Sequence, residues 1–235
     1  WAEGLYRQVV WGTRGLRYRL LEPRVMLDAL QRSGWVTFLR QTTPIGAYGL
    51  VPGIRSWNGE RVPAIYRTFL ALRPELTGRS LGRVLVAETR RFLQEQLPRG
   101  VVFGFIEDDN TASLAISRRA GYVPIASVVA ENYAVLRPAA VAGVRRLEAQ
   151  ERERLQDCLE TLYAGHDLTD FDQSVVPEQC WVLERGGVWV AALQAERRRF
   201  ELVDLGYRGW LKRAVPWIPV VRQLVDPRDY RFLWY

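Results

Sequence analysis

From Leu70 to Arg83 the chain reads Leu-Ala-Leu-Arg-Pro-Glu-Leu-Thr-Gly-Arg-Ser-Leu-Gly-Arg. An apolar run suited to a strand passes through a Gly/Ser turn straight into a helix, and that order restricts the fold more than any other feature. Leu81 to Leu97 carries apolar residues at 81, 84, 85, 92, 93 and 97, the spacing of one helical face, and Pro98-Arg99-Gly100 ends it. Val101 to Ile106 is nearly all apolar, which predicts a central strand buried on both faces. Thr111 to Arg119 predicts a short helix with Gly121 as its C′ glycine. Strand and helix alternate here after an antiparallel start, so the predicted class is α/β with a mixed (α+β) sheet.

Upstream, Glu22-Pro23 predicts a short helix with Val25, Met26, Ala29 and Leu30 on one side, closed by Gly34. Trp35 to Leu39 and Ile45 to Leu50 read as strands, joined by a polar turn around Gln41 to Thr43. Asn58-Gly59 tolerates positive φ at both positions and predicts a tight hairpin turn into a strand over Val62 to Leu72. The first thirty residues otherwise show no clear period. Downstream, Pro124 to Val129 and Tyr133 to Arg137 are expected to pair as a closing hairpin, and Pro138 to Gly143 reads as a linker. Beyond it come a helical stripe of Leu155, Cys158, Leu159 and Leu162, and a hairpin of Cys180 to Glu184 and Val188 to Ala195 around Arg185-Gly186-Gly187. Helix followed by a Trp-Val hairpin therefore occurs twice, at Trp35 and at Trp181. Tyr66-Arg67-Thr68-Phe69-Leu70 has an echo in Tyr230-Arg231-Phe232-Leu233-Trp234, so a degenerate tandem duplication is predicted.

Composition removes several classes of function. Hydrophobic residues are 48% and charged residues 25% of 235, which is globular, and that length holds one large domain or two modest ones. The net charge of +7 comes almost wholly from arginine, since Lys212 is the lone lysine among 33 basic residues. The arginines are scattered, with few clusters such as Arg197 to Arg199, which disfavours a nucleic-acid groove and suits anionic ligands. Cys158 and Cys180 lack a CxxC spacing and read as two buried thiols in a reducing, cytoplasmic setting. His166 is the single histidine, so two-His metal motifs are excluded. A Ser-His-Asp triad would need it, yet Gly165-His166-Asp167 reads as a passage from helix to loop. No apolar run reaches the ~18–20 residues of a membrane helix. The longest, Ala214 to Val225, is interrupted by Pro216, Pro219 and Arg222 and reads as a buried connector.

The turn at Thr77 to Arg83 carries chemistry. Small residues let a ligand approach the backbone, and the unpaired N–H groups of a first helical turn attract anions, above all a pyrophosphate. Arg79 and Arg83 can add charge-assisted contacts. About thirty residues on stands Asn110-Thr111-Ala112-Ser113-Leu114-Ala115-Ile116-Ser117-Arg118-Arg119-Ala120-Gly121-Tyr122. With both motifs in this order the chain resembles the GNAT superfamily, the GCN5-related N-acetyltransferases. That family's cofactor loop, Arg/Gln-x-x-Gly-x-Gly/Ala, opens a helix after a strand, and its next motif runs from an Asn through a helix to Gly-Phe or Gly-Tyr.

The resemblance implies a GNAT-like acyl-CoA N-acyltransferase fold over residues 1–138, with its first strand left open. A linker at 139–143 and a second, partial GNAT-like repeat over 144–235 follow. Trp1 in place of Met and an end at Tyr235, just short of where a second phosphate turn would begin, fit a piece of a longer tandem protein. It implies acetyl-CoA or another acyl-CoA as cosubstrate and no metal, with the pyrophosphate on Thr77, Gly78, Arg79, Ser80, Leu81, Gly82 and Arg83. Pantetheine would follow the strand edge Leu70, Ala71, Leu72, with Asn110 bonding it. The acceptor would be a small-molecule or peptide amine attacking the thioester directly in a ternary complex, with no nucleic acid and with room for a homodimer. Thr77 stands where Arg or Gln is usual. Ser80 replaces the middle glycine, where a side chain is expected to require negative φ. Ser117 occupies the position of the Tyr that protonates the departing thiolate. The amine must lose a proton, and Glu107, Asp108, Asp109 and Glu75 are the candidate carboxylates. A catalytically inactive GNAT-like module binding acyl-CoA or a protein partner is the alternative.

Overall fold

A computed structural model describes residues 1–12, 17–24, 27, 35–40, 42–128, 139–169, 175–204 and 230–234, the backbone alone at 35–40, 196–198 and 230–234. Val25, Met26, Ala29, Leu30, Gly34, the Tyr133 to Arg137 strand and Ala214 to Val225 lie outside the described residues. Contacts divide the chain into two units, the first made of Trp1–Ile54, Val62–Val123 and Arg198–Phe232, the second of Arg55–Arg61, Pro124–Arg197 and Leu233–Tyr235.

In the first unit, α1 (Ala2–Gln8) precedes β1 (Arg17–Leu20), both arising in the stretch that showed no period. A four-stranded sheet follows in the order β2 (Trp35–Arg40), β3 (Thr43–Trp57), β4 (Glu60–Leu72) and β5 (Val101–Phe103). The β3–β4 turn is Asn58-Gly59, both at positive φ (51° and 79°), as the sequence predicted. Helix α2 (Leu81–Gln96) connects β4 to β5, and α3 (Thr111–Arg119) follows, with Gly121 at φ 83°. A second sheet has the order β1, β9 (Glu196–Asp204), β10 (Tyr230–Trp234), so the echo segment at Tyr230 does form a strand.

The strand buried on both faces is β3, where Ile45 to Leu50 are all buried, and this corrects the expectation for Val101 to Ile106. The reason is lateral position. β3 lies between β2 and β4, with one apolar cluster (Leu5, Tyr6, Leu20, Leu27, Ala47, Ala71, Phe200) and another (Ile45, Tyr48, Val86, Ala120) drawing on its residues. β5 is only Val101–Phe103, half-buried and terminal among the described strands of its sheet. Helix α2 also turns differently from its apolar pattern. Val86, Thr89 and Leu93 are its buried residues, whereas Val84 and Phe92 are about half exposed at 49% and 48%. Residues 82, 86, 89 and 93 lie along one stripe, and Gly82 lets that stripe approach Ile116 and Leu72 closely. Pro124 to Val128 forms no strand.

The second unit carries a three-stranded antiparallel sheet, β6 (Val144–Arg146), β7 (Cys180–Arg185) and β8 (Val188–Gln194), in that order, with α4 (Arg152–Leu162). The β7–β8 turn falls at Gly186-Gly187 as predicted, and both glycines have positive φ. Leu147, Leu155, Val175, Cys180 and Val182 form its core. Of the α4 stripe Leu155 is buried while Cys158 and Leu162 are exposed, so only Cys180 fulfils the expectation of a buried thiol, and burial raises its pKa. Arg145 grips both oxygens of Glu151 at 2.7 Å and also reaches Glu184 at 3.0 Å. Leu168 N–H donates to Ser56 O at 2.7 Å and Asn58 N–H to Asp167 Oδ1 at 2.7 Å, which ties the β3–β4 tip to this unit's own loop. His166 stacks edge-on against Tyr163 at 5.1 Å, a local contact beside the helix end.

Candidate functional site

β4 and β5 run parallel for three pairs only, Ala64 with Val101, Ile65 with Val102 and Tyr66 with Phe103. β4 continues to Leu72 whereas β5 stops, so β4 from Arg67 to Leu72 has no ladder partner on β5. One residue past the last pair, Gly104 still lies against Arg67: a Cβ on Gly104 would stand 2.7 Å from Arg67 O and 3.0 Å from Arg67 Cγ. Only a residue without a side chain lets the two segments come this close.

Beyond the ladder Phe69 has φ 52°, a left-handed conformation costly for a bulky residue. It re-aims the strand, as a β-bulge does. Tyr6 from α1 secures the kink, its hydroxyl donating to Phe69 O at 2.8 Å, and Trp11 packs edge-on against the Phe69 ring at 5.6 Å. Burial holds the Tyr6 phenol well above its usual pKa, so it remains a donor. Nothing local in the sequence announces this kink, since it depends on a residue 63 positions away.

Past Leu72, Arg73 N–H donates to Ile45 O at 2.9 Å, and Pro74–Leu76 make one 3-10 turn that presents Glu75 outward. Glu75 pairs with Arg73 at 3.7 Å and with it lines a cleft of about 370 Å³ that also includes Trp1, Gly4, Leu5 and Gln8. The Thr77 hydroxyl donates to Pro74 O at 2.6 Å and is thereby committed to the turn. Gly78 has φ 77°. Ser80 is the N-cap of α2 at φ 58°, ψ 6°, and makes no side-chain capping bond. The expected negative φ is thus wrong: the backbone keeps the glycine-like conformation and Ser80 bears the strain, because the turn into α2 demands it. Gly78, Arg79, Ser80 and Arg83 are exposed and Leu81 and Gly82 half-exposed, while the Arg83 N–H donates to Ser80 O at 3.1 Å. A Cβ on Gly82 would only touch Ile116 at 3.4 Å. Beside this end of α2, Arg83, Val84, Ala87 and Glu88 of that helix line a second cleft of about 350 Å³ with Arg119 and Ala120.

Asn110 caps α3, its Oδ1 accepting from Ser113 N–H at 3.1 Å. Its amide nitrogen is a donor that this bond does not use. Glu107 and Asp108 are exposed in the turn between β5 and α3, four and five residues past the strand end rather than on it. Ser117 is buried, and its Oγ accepts from Arg67 Nη2 at 3.1 Å. The Arg67 guanidinium lies 3.5 Å from the Tyr122 ring centroid and also bonds Tyr48, whose hydroxyl is pushed up to about 12, chiefly by burial. Arg67 was missed at the sequence level, and the only available signal was a lone arginine in an apolar strand. The described residues hold no cluster of metal-ligating side chains and no helix long and apolar enough to cross a membrane.

The short parallel β4–β5 pair, the turn from Thr77 to Ser80 and helices α2 and α3 make a mixed α/β fold that is also found among solved acyltransferase structures. No family model and no curated protein matches the sequence. Among solved structures, N-myristoyltransferase of Saccharomyces cerevisiae with bound myristoyl-CoA superposes on 94% of this chain with a TM-score of 0.53 and 13% identity. The chain spans 55% of that enzyme's length, and at this identity the likeness is one of fold. Aminoglycoside 6'-N-acetyltransferase AAC(6')-Ig of Acinetobacter haemolyticus matches 57% of this chain and 93% of its own, with 13% identity and a TM-score of 0.39. An acetyltransferase of Trypanosoma brucei matches 48% and 79%, with 15% identity and a TM-score of 0.37.

Proposed function

We propose that this chain is an acyl-CoA-dependent N-acyltransferase that moves an acetyl or related acyl group to a primary amine. The observation that carries the reading is β4 from Arg67 to Leu72, which has no ladder partner on β5 among the described residues, followed through a 3-10 turn by the exposed N-terminus of α2. An extended, amide-rich arm ending in a pyrophosphate fits such a track: backbone groups take the amides and the helix start takes the phosphates.

Acyl-CoA held on this track supplies a thioester carbonyl open to attack by an amine. Leu70, Ala71 and Leu72 would align the arm, and a backbone N–H near Leu72 would polarise the carbonyl. Thr77 to Arg83 would hold the diphosphate, with Arg83 and Arg119 lining the adjoining cleft. Asn110 would donate its amide N–H to the arm. Glu75 is the favoured base among the four candidate carboxylates, because it lines a cleft that would admit the acceptor. Glu107, Asp108 and Asp109 are the remaining candidates. The acceptor's identity, a single catalytic domain at 1–138 and the tandem duplication belong to the same proposal.

Isothermal titration with acetyl-CoA, run beside Gly82→Asp, tests it. Binding that the aspartate abolishes is expected, since it puts a carboxylate at an anion site, and no binding to the native chain would refute the reading. An inactive acyl-CoA-binding module is the second reading, favoured by Ser80 in its strained conformation and by the absence of a Tyr at Ser117. Under it CoA binds but a free-thiol assay over amine acceptors stays flat.

A further inference from the structure

The cleft of about 370 Å³ beside the end of β4 is built from two segments of opposite character. From α1 come Trp1, Gly4, Leu5 and Gln8, the i, i+3, i+4, i+7 stripe of one helical face. Leu5 is buried and Trp1 about half exposed, so this side offers apolar surface. A Cβ on Gly4 would meet nothing within 4 Å, so the space beside the helix is open. The other segment brings one cation and one anion, Arg73 and Glu75, on either side of Pro74. Both side chains reach solvent, and their nearest atoms are 3.7 Å apart, too far for a hydrogen bond. Among the described residues neither side chain completes a hydrogen bond, and an exposed pair of this length holds its partners weakly. Two opposite charges side by side, each with bonding capacity to spare, match a ligand that carries an amine and a carboxylate on one carbon. The apolar helix face suits an apolar group on that same carbon.

We propose that the acceptor is a free α-amino acid with an apolar side chain, its carboxylate on Arg73, its amine on Glu75 and its side chain against Trp1 and Leu5. The assignment rests on the acyltransferase reading above and narrows its primary amine to one chemical class. Arg73 directly follows Leu72, so a carboxylate held there keeps the amine beside a thioester aligned on the end of β4. The cleft is at the small end of ligand pockets, which suits a molecule of this size. A polyamine would meet Arg73 as a like charge, and a peptide has no carboxylate on the carbon that bears its terminal amine. The amine arrives as an ammonium paired with Glu75 and gives one proton to solvent through that carboxylate. Its nitrogen then bonds to the carbonyl carbon, the carbon–sulfur bond breaks with its electron pair on sulfur, and a second proton passes from nitrogen to the thiol. An α-amine is less basic than a lysine-type amine, which eases the first of these steps for an exposed base.

The test compares L-phenylalanine and L-leucine, each as free acid and as carboxamide, with phenethylamine and spermidine. All are run as acceptors in the free-thiol assay at saturating acetyl-CoA, and titrated calorimetrically into the CoA-bound chain so that binding is read apart from turnover. The better free acid should exceed its carboxamide and phenethylamine about tenfold in kcat/KM and in affinity, because those analogues leave Arg73 unanswered. Arg73→Gln should raise the KM for the free acid about tenfold and abolish that advantage, and Arg73→Glu should turn the preference toward spermidine. Neither change touches the backbone bond from Arg73 N–H to Ile45 O, and thermal melts check that both variants fold. Gly4→Leu places a side chain in the open space of the cleft and should block the free acid while acetyl-CoA still binds. If the native chain binds no acetyl-CoA, the acyltransferase reading fails and this assignment with it. If acetyl-CoA binds but neither free acid does, or a carboxamide, phenethylamine or spermidine serves equally well, that reading stands and the α-amino acid is overturned. An unchanged KM for the free acid in Arg73→Gln overturns it too.

Discussion

Ser80→Gly should stabilise the protein, against the usual direction of point substitutions. Ser80 sits at φ 58°, ψ 6°, makes no capping hydrogen bond through its side chain, and is exposed. The substitution therefore removes no contact and relieves a left-handed conformation costing roughly 1–2 kcal/mol for an L-residue. Glycine returns about 0.5–1 kcal/mol of that through the greater freedom of the unfolded chain. The net gain is about 0.5–1 kcal/mol, or roughly 1–4 °C in Tm for a chain of this size. Urea titration with an unchanged slope would show that the gain lies in stability rather than in a more compact unfolded state. Ser80→Ala serves as the control, because it removes the hydroxyl while keeping the Cβ that creates the strain, and it should give no gain. The reasoning is refuted if Ser80→Gly melts at or below the native chain, or if Ser80→Ala stabilises equally. The same change opens the start of α2, so acyl-CoA affinity should rise with stability.

Tyr6→Phe should destabilise by about 1–3 kcal/mol, because it strips Phe69 O of its donor at the kink. It should also raise the KM for the acyl donor, read in the free-thiol assay. Hydrogen bonding from Arg145 lowers the Glu151 carboxyl from 4.5 to about 2. A depressed carboxyl stabilises fully above its unfolded pKa, so this contribution is complete above 4.5 and disappears as pH falls from there to about 2. Glu151→Gln should accordingly flatten the acid limb of the stability–pH curve in that window, and an unchanged limb would refute the assignment.

The parts of the fold that were legible in the sequence are those written in a few adjacent residues. Asn58-Gly59, Gly186-Gly187 and Gly121 adopt positive φ because their chemistry permits it wherever they occur. Both helices that flank the candidate site begin and end close to where their caps and breakers stand. Which strand is buried on both faces was not legible. Val101 to Phe103 is as apolar as Ile45 to Leu50, and only position in the sheet separates them.

The candidate site divides in the same way. By itself the sequence determined the strand–turn–helix through Thr77 to Arg83, the short helix after Asn110, and the order of elements that resembles the GNAT superfamily. Tertiary structure alone decided the left-handed φ of Ser80, the kink at Phe69 with its Tyr6 clasp, and the end of the β4–β5 ladder at Tyr66 and Phe103. It also decided that Arg67 meets Ser117 fifty positions away while part of its charge stays unpaired. The physical reason is range. Dihedral preferences and caps act over a turn or two of chain, whereas burial, strand separation and the pairing of a buried charge depend on distant segments brought together by folding.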